Sequence, residues 1–156
     1  MRTDALLWAP FLLLAAAAHA DQSALNPVVR QETIDKTICA PGYAKGVRLP
    51  TSYTNGVKQM YFQRSRLNPT LEQTYELDHI IPLALGGHPR SLDNLALRIR
   101  EGENGLKRKD SVAMKLQCLV CSGQVTLATA QRDILEDWQA ASQRYAGVKC
   151  RRPSGR

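Results

Sequence analysis

The sequence predicts an α+β domain in which a strand hairpin precedes two helices. Residues 76–83 and 92–99 are short segments rich in branched side chains, and a loop with Gly86 and Gly87 separates them, which is typical of a hairpin with a long connection. From Asn104 onward, apolar residues recur at helical spacing. The chain has four cysteines, an even number that predicts disulfides stapling the domain.

Each element has its own local signals. The first strand should end at the Asp78-His79 pair, and the second should place Leu95, Leu97 and Ile99 on one face. The first helix is marked by Leu106, Ala113, Leu116 and Val120 and should stop at Ser122-Gly123. Thr126 should cap a last helix whose apolar face packs as scaffold and consists of Leu127, Ala130, Ile134, Leu135, Trp138 and Ala141.

The segment before the hairpin carries weaker signals. Residues 21–31 look like a polar, poorly ordered lead-in, and residues 32–37 a turn of helix. Residues 40–70 contain the turn signals Pro41-Gly42, Pro50, Asn55-Gly56 and Pro69, which predict an irregular segment. Its basic and aromatic residues form either a DNA-binding surface or, for the aromatics, ordinary core; they are Lys45, Arg48, Lys58, Arg64, Arg66, Tyr43, Tyr53, Tyr61 and Phe62.

The first 20 residues read as a secretory signal peptide. Arg2 precedes an apolar run, and Ala18-His19-Ala20 matches an A-x-A cleavage site. The run is shorter than the roughly 18 to 20 residues that cross a bilayer, so a membrane anchor is the less favoured interpretation. We therefore expect cleavage after Ala20, export to the periplasm or medium, and no stable membrane association. The exported protein should then consist of an N-terminal extension (21–36), a single domain (37–150) and a basic tail (151–156).

The charge indicates an anionic partner without naming it. The formal net charge is +7, and removing the signal peptide takes away one Arg and one Asp, so the charge is unchanged. Nucleic acid, anionic lipid and an acidic envelope polymer would all attract such a chain. Alternatively, the charge has no specific partner and only keeps the protein soluble.

The cysteines favour two disulfides. Cys118 and Cys121 would lie on adjacent turns of a helix, so each should pair with one of the distant cysteines, Cys39 and Cys150. Which pairs with which stays open. Cys118-Leu-Val-Cys121 could instead be half of a zinc knuckle, but no second C-x-x-C accompanies it.

Four polar residues in and after the hairpin suit a nuclease with a single metal ion. His79 is the natural general base, because imidazole titrates near neutral pH, and its ring could be fixed by Asn94 or by a backbone carbonyl. Asp78, on the opposite strand face, and Asn104 would supply oxygen ligands for Mg²⁺. The alternative is that the Asp-His pair means nothing and Asn94 only caps a turn.

These residues resemble the HNH endonuclease motif of the ββα-metal type. The resemblance rests on Leu77-Asp78-His79-Ile80-Ile81-Pro82-Leu83, Gly86-Gly87, Asn94-Leu95 and 104–107. It implies a ββα-metal core with flanking helices, with His79 as base, Asp78 and Asn104 as ligands, and Asn94 holding the connecting loop.

Most of the chain after the predicted signal peptide is also similar to small exported bacterial HNH-like proteins, through 37–43, Glu76-Leu-Asp78-His79, Lys109-Asp110 and 120–131. Asn104 departs from the usual His and is the weakest ligand assignment. His88 or Glu76 could complete the site instead. The cysteine pairs of zinc-stapled HNH domains are missing around the motif, and disulfides would replace them.

The resulting prediction is an exported, monomeric, metal-dependent endonuclease with little sequence specificity, acting on double-stranded DNA. Mg²⁺ is the expected cofactor, with Mn²⁺ or Zn²⁺ as alternatives. The expected phosphate contacts, which could equally be a solvated helix face, are Arg98, Arg100, Lys107, Arg108 and Lys109. The alternatives are a non-catalytic module that binds nucleic acid or an envelope polymer, and a secreted nuclease toxin with a protecting partner protein.

Overall fold

A two-stranded antiparallel sheet lies among helices in the computed structural model, which describes residues 24–150. The predicted signal peptide and the basic tail 151–156 lie outside the described residues. The mixture of helices with a small sheet confirms the α+β class. The elements are α1 (Tyr43–Gly46), α2 (Thr51–Arg64), β1 (Tyr75–His79), β2 (Leu95–Ile99), α3 (Leu106–Cys121) and α4 (Leu127–Tyr145), with 3-10 turns at Gln31–Lys36, Pro69–Thr74, Leu83–Leu85 and Leu92–Asn94.

The hairpin forms as predicted, but both strands begin at other residues than expected, β1 at Tyr75 rather than at residue 76. β1 ends at His79, which lies opposite Leu95, and Leu77 lies opposite Leu97. β2 begins at Leu95 rather than at residue 92, because residues 92–94 form a 3-10 turn that brings Asn94 into the interior.

One glycine of the hairpin loop allows the N-terminal segment to pack closely. Gly86 has a φ of +81°, and a Cβ there would lie only 2.6 Å from Cγ1 of Val29 in the N-terminal segment. The His88 amide donates to the Ala24 carbonyl at 2.8 Å. Ala24 is 7% exposed and belongs to the main apolar core. The prediction of a poorly ordered lead-in is therefore wrong from Ala24 onward, since backbone pairing with the loop orders it.

Helices α3 and α4 supply most of the core. α3 begins at Leu106, slightly after the predicted start, and Gly123 at φ +72° follows its end. The Thr126 hydroxyl accepts from the Thr129 amide at 3.2 Å, which confirms the predicted cap of α4. Trp138 is 6% exposed and packs in the core as expected.

The prediction of an irregular segment over residues 40–70 is wrong, because α2 occupies 14 of its residues. Pro50 lies just before the helix rather than breaking it, a position where proline costs nothing. Val57 and Phe62 are buried, and the Phe62 ring meets Tyr75 of β1 edge-on at 5.9 Å. This tertiary burial outweighs the turn preference of the Asn-Gly pair in the middle of the helix.

Two disulfides join the ends of the described chain to α3. Cys39 pairs with Cys121, and Cys118 pairs with Cys150. Each cysteine of the C-x-x-C pair thus has a distant partner, as predicted, and none of the four is left to hold zinc. The bridges indicate an oxidising environment, extracellular or periplasmic. None of the helices within residues 24–150 is long and apolar enough to cross a membrane.

Gly56 offers a test of how α2 is stabilised. It lies inside the helix, and a Cβ there would meet nothing within 4 Å. Gly56→Ala should therefore raise the free energy of unfolding by about 0.5 to 1 kcal/mol, because alanine has less backbone freedom to lose in the unfolded chain. Urea unfolding followed by circular dichroism measures the change. Destabilisation would mean that residue 56 is not helical in solution.

Candidate functional site

His79 ends β1, with its side chain half-buried beside a groove under α2. Its Nε2 lies 3.2 Å from the carbonyl oxygen of Pro89. A carbonyl can only accept, so Nε2 carries the proton, and in the neutral ring Nδ1 is left as the basic nitrogen. A backbone carbonyl therefore fixes the ring, which is one of the two arrangements expected from sequence.

The surroundings keep the His79 ring neutral. Its pKa is lowered from the usual 6.5, chiefly because burial disfavours the imidazolium, and the positive charges of Arg48 and Lys109 act in the same direction. The Pro89 hydrogen bond and the carboxylate of Asp78 oppose this shift without reversing it. A neutral imidazole with a free Nδ1 can accept a proton at neutral pH.

Asn94 holds the hairpin loop and does not touch the His79 ring. It is fully buried, its Oδ1 accepts from the Ile81 amide at 2.7 Å, and its Nδ2 donates to the carbonyls of Ile81 and His88 at 3.0 and 3.1 Å. These bonds satisfy loop backbone groups that would otherwise be buried without partners. Asn94 thereby fixes the two ends of the loop that carries Pro89.

Asp78 faces away from His79, as strand alternation requires, and is held by two cations. Its Oδ2 accepts from Lys109 Nζ at 2.6 Å and from Arg98 Nε at 2.9 Å. Asp78 and Lys109 are only 6% and 1% exposed, and Lys109 Nζ also donates to the His79 carbonyl at 2.7 Å. Burial lowers the pKa of Lys109, while Asp78 favours its charged form. The cluster connects α3 to the end of β1.

The two predicted metal ligands each have protein partners in the structure. Asp78 is engaged with the two cations, and the exposed Asn104 accepts from Gln139 Nε2 on α4 at 3.1 Å. Within residues 24–150, no group of three or more His, Cys, Asp or Glu side chains is arranged to hold a metal ion. Asp78 and Asn104 as metal ligands therefore stay predictions from the motif.

The two substitute ligands considered from sequence are engaged as well. His88 Nδ1 accepts from the amides of Arg90 and Ser91 at 3.1 and 2.9 Å, so it closes a turn in the loop. Glu76 forms an ion pair with Arg100. Asp110, next to Lys109, has a pKa raised by burial and by the nearby charge of Asp78.

The predicted phosphate contacts are all paired with carboxylates. Arg98 and Lys109 hold Asp78, and the burial of Lys109 corrects its assignment as a contact, since a substrate phosphate cannot reach it. The other three lie near the start of α3 and are exposed; their ion pairs are Arg100 with Glu76 and Glu101, Lys107 with Glu101, and Arg108 with Glu103.

The sequence analysis named Arg48 and Lys58 only as part of a possible DNA-binding surface and did not assign them to the His79 site. Arg48 and Lys58 line the same groove as His79, and neither has a carboxylate within ion-pair distance among residues 24–150. The groove has a volume of about 290 Å³. The signal was available in the spacing of Thr51, Asn55 and Lys58, which share one face of a helix, but residues 40–70 were not predicted to be helical.

The aromatic residues of the same segment have mixed roles. Phe62 is buried and the Tyr61 hydroxyl donates to the Leu92 carbonyl at 2.8 Å, so both serve packing. Tyr53 is 39% exposed. The interpretation as ordinary core therefore holds for Phe62, whereas Tyr61 is only partly buried.

Comparison of the chain with protein-family models, with curated proteins and with solved structures finds no match.

The ion-pair cluster gives a stability prediction. Lys109→Met should lower the free energy of unfolding by about 3 kcal/mol, because it leaves a buried carboxylate with one cation fewer. Adding Asp78→Asn should recover part of this loss, since the unpaired charge is then removed. A double-mutant cycle by urea unfolding measures both. Strictly additive losses would mean that the two side chains do not interact in solution.

Proposed function

We propose that this protein is an exported nuclease of the HNH type that hydrolyses phosphodiester bonds with His79 as the general base. The observation that carries the proposal is the hydrogen bond from His79 Nε2 to the Pro89 carbonyl, which leaves Nδ1 as the proton acceptor in a groove lined by cations. The resemblance of residues 75–110 to the HNH motif supports the same assignment.

The proposed reaction needs one base and a positive environment. Nδ1 takes a proton from a water molecule as the water oxygen attacks phosphorus. The bond from phosphorus to the 3′ oxygen then breaks, and that oxygen takes a proton from solvent. Charge that accumulates on the phosphate is stabilised by the cations of the groove.

The other motif residues would act by positioning. Asn94 fixes the loop that presents the Pro89 carbonyl, and Lys109 binds the His79 carbonyl while holding Asp78. Both sets of bonds restrict the end of β1, so they would keep the imidazole at a constant place relative to the groove. Their loss would lower the rate by misplacing the base.

The divalent metal, with Mg²⁺ first, and double-stranded DNA as substrate stay predictions from the motif. Both cations contact Oδ2 of Asp78, so a metal ion at this carboxylate would bind through Oδ1 or would compete with Lys109 and Arg98 for Oδ2. A metal requirement is therefore tested directly in the cleavage experiment below.

A second candidate is a non-catalytic binding module on the same scaffold. It is favoured by one observation: Lys109 and Arg98 both hold Asp78, so the carboxylate has a structural role that needs no metal. Such a module would bind nucleic acid or an envelope polymer and leave it intact.

His79→Ala separates the two candidates. If the protein is a nuclease, the cleavage rate of the variant should be at least about 100-fold lower, because general-base catalysis accelerates a reaction by about this factor or more. The assay follows plasmid and RNA cleavage by the exported protein with Mg²⁺, Mn²⁺, Zn²⁺ or EDTA. Arg132→Ala, an exposed change on α4, is the control.

The outcomes are distinct. Cleavage lost in His79→Ala but kept in Arg132→Ala, at equal thermal stability, supports the nuclease, and the preferred polymer and metal identify its substrate and cofactor. Absence of cleavage under every condition, with salt-sensitive DNA binding retained, contradicts the nuclease and supports the binding module.

The lowered pKa of His79 predicts where activity falls with pH. The neutral ring is the active form, so the midpoint of the fall in kcat/KM with decreasing pH should lie below 6.5, the usual histidine pKa. A pH profile between about pH 4.5 and about pH 8 measures the acid limb. A limb centred above the usual histidine pKa would contradict a buried, neutral base.

A further inference from the structure

The groove between α2 and β1 has the character of an anion site. Its lining includes two cations, Arg48 and Lys58, and the polar side chains of Thr51, Thr54 and Asn55. Thr51, Asn55 and Lys58 recur at three- and four-residue spacing, so one face of α2 presents them together. Hydroxyl and amide groups beside fixed cations are the groups that bind phosphate oxygens in proteins.

Charge pairing distinguishes this groove from the start of α3. At α3, the cations Arg100, Lys107 and Arg108 face the carboxylates of Glu76, Glu101 and Glu103, so the local charge is balanced.

Among the described residues, 24–150, the carboxylate that lines the groove is that of Glu76, and it is already paired with Arg100. The carboxylate of Asp110 interacts with Arg48 electrostatically without forming an ion pair among residues 24–150. The groove therefore keeps an excess of positive charge.

We propose that a nucleic-acid backbone binds in the groove under α2, with Arg48 and Lys58 contacting its phosphates, and that the cations at the start of α3 contribute little. The identity of the ligand rests on the proposed function. Since His79 lines the same groove, a phosphate held by Arg48 and Lys58 lies beside the imidazole, and the binding site and the base form one unit.

The test measures binding separately from cleavage. His79→Ala is used as the background, and the ligands are a labelled single-stranded oligodeoxynucleotide, an oligoribonucleotide and a DNA duplex. Three double variants each remove two positive charges: Arg48→Ala/Lys58→Ala in the groove, Lys107→Ala/Arg108→Ala at α3, and Lys115→Ala/Arg132→Ala as a control outside both surfaces. Thermal melting verifies that each variant is folded.

The groove variant should bind at least about tenfold more weakly at low salt. The slope of log affinity against log salt concentration should become less steep by about 1.4 to 1.8, the change expected when two phosphate contacts are lost. The α3 and control variants should each change affinity by less than about threefold. The conservative double variant Arg48→Lys/Lys58→Arg should retain the slope, which excludes a mere folding effect.

The polymer whose slope changes most identifies the bound backbone. Equal losses in all three double variants, or a larger loss at α3 than in the groove, would overturn the proposal. If only the groove variant loses binding but His79→Ala still cleaves nucleic acid, the result supports the proposed binding groove and contradicts His79 as the general base.

Discussion

The arrangement of the site depends on the buried ammonium of Lys109. One group joins two elements of the structure, because Nζ binds the Asp78 side chain and the His79 carbonyl on β1 while its backbone belongs to α3. A buried charge is costly unless it is paired, so this contact has little freedom to rearrange. Arg98 adds a second cation from β2, diagonal to Asp78 across the hairpin, and the carboxylate thereby connects both strands to the helix.

Asn94 constrains the same region from the other side. Its amide group replaces backbone pairing across the hairpin loop, so the loop keeps a fixed path although only short 3-10 turns support it. The path matters because the Pro89 carbonyl selects the tautomer of His79. Asn94 and Lys109 do not contact the His79 ring themselves. They hold the backbone around it and thereby determine where its Nδ1 lies.

The disulfides and α2 complete the framework. Cys39–Cys121 ties the segment that precedes α1 to the end of α3, and Cys118–Cys150 holds the chain after α4 against the same helix. Both bridges lie at the end of α3 opposite to Lys109, so they stabilise the scaffold rather than the groove. On the other face of the hairpin, Phe62 packs on Tyr75 and so anchors α2, which brings Arg48 and Lys58 beside His79.

The sequence by itself determined the elements that local signals specify: β1 ending at His79, α3 ending before Gly123, the Thr126 cap of α4, and the distant pairing of Cys118 and Cys121. Only the tertiary structure decided that α2 is a helix, because its turn-forming residues are overruled by the burial of Val57 and Phe62. It also decided that Lys109 is an internal partner of Asp78 rather than a surface cation. Charge and spacing are local properties, whereas burial and the choice of ion-pair partner arise only when distant elements pack together.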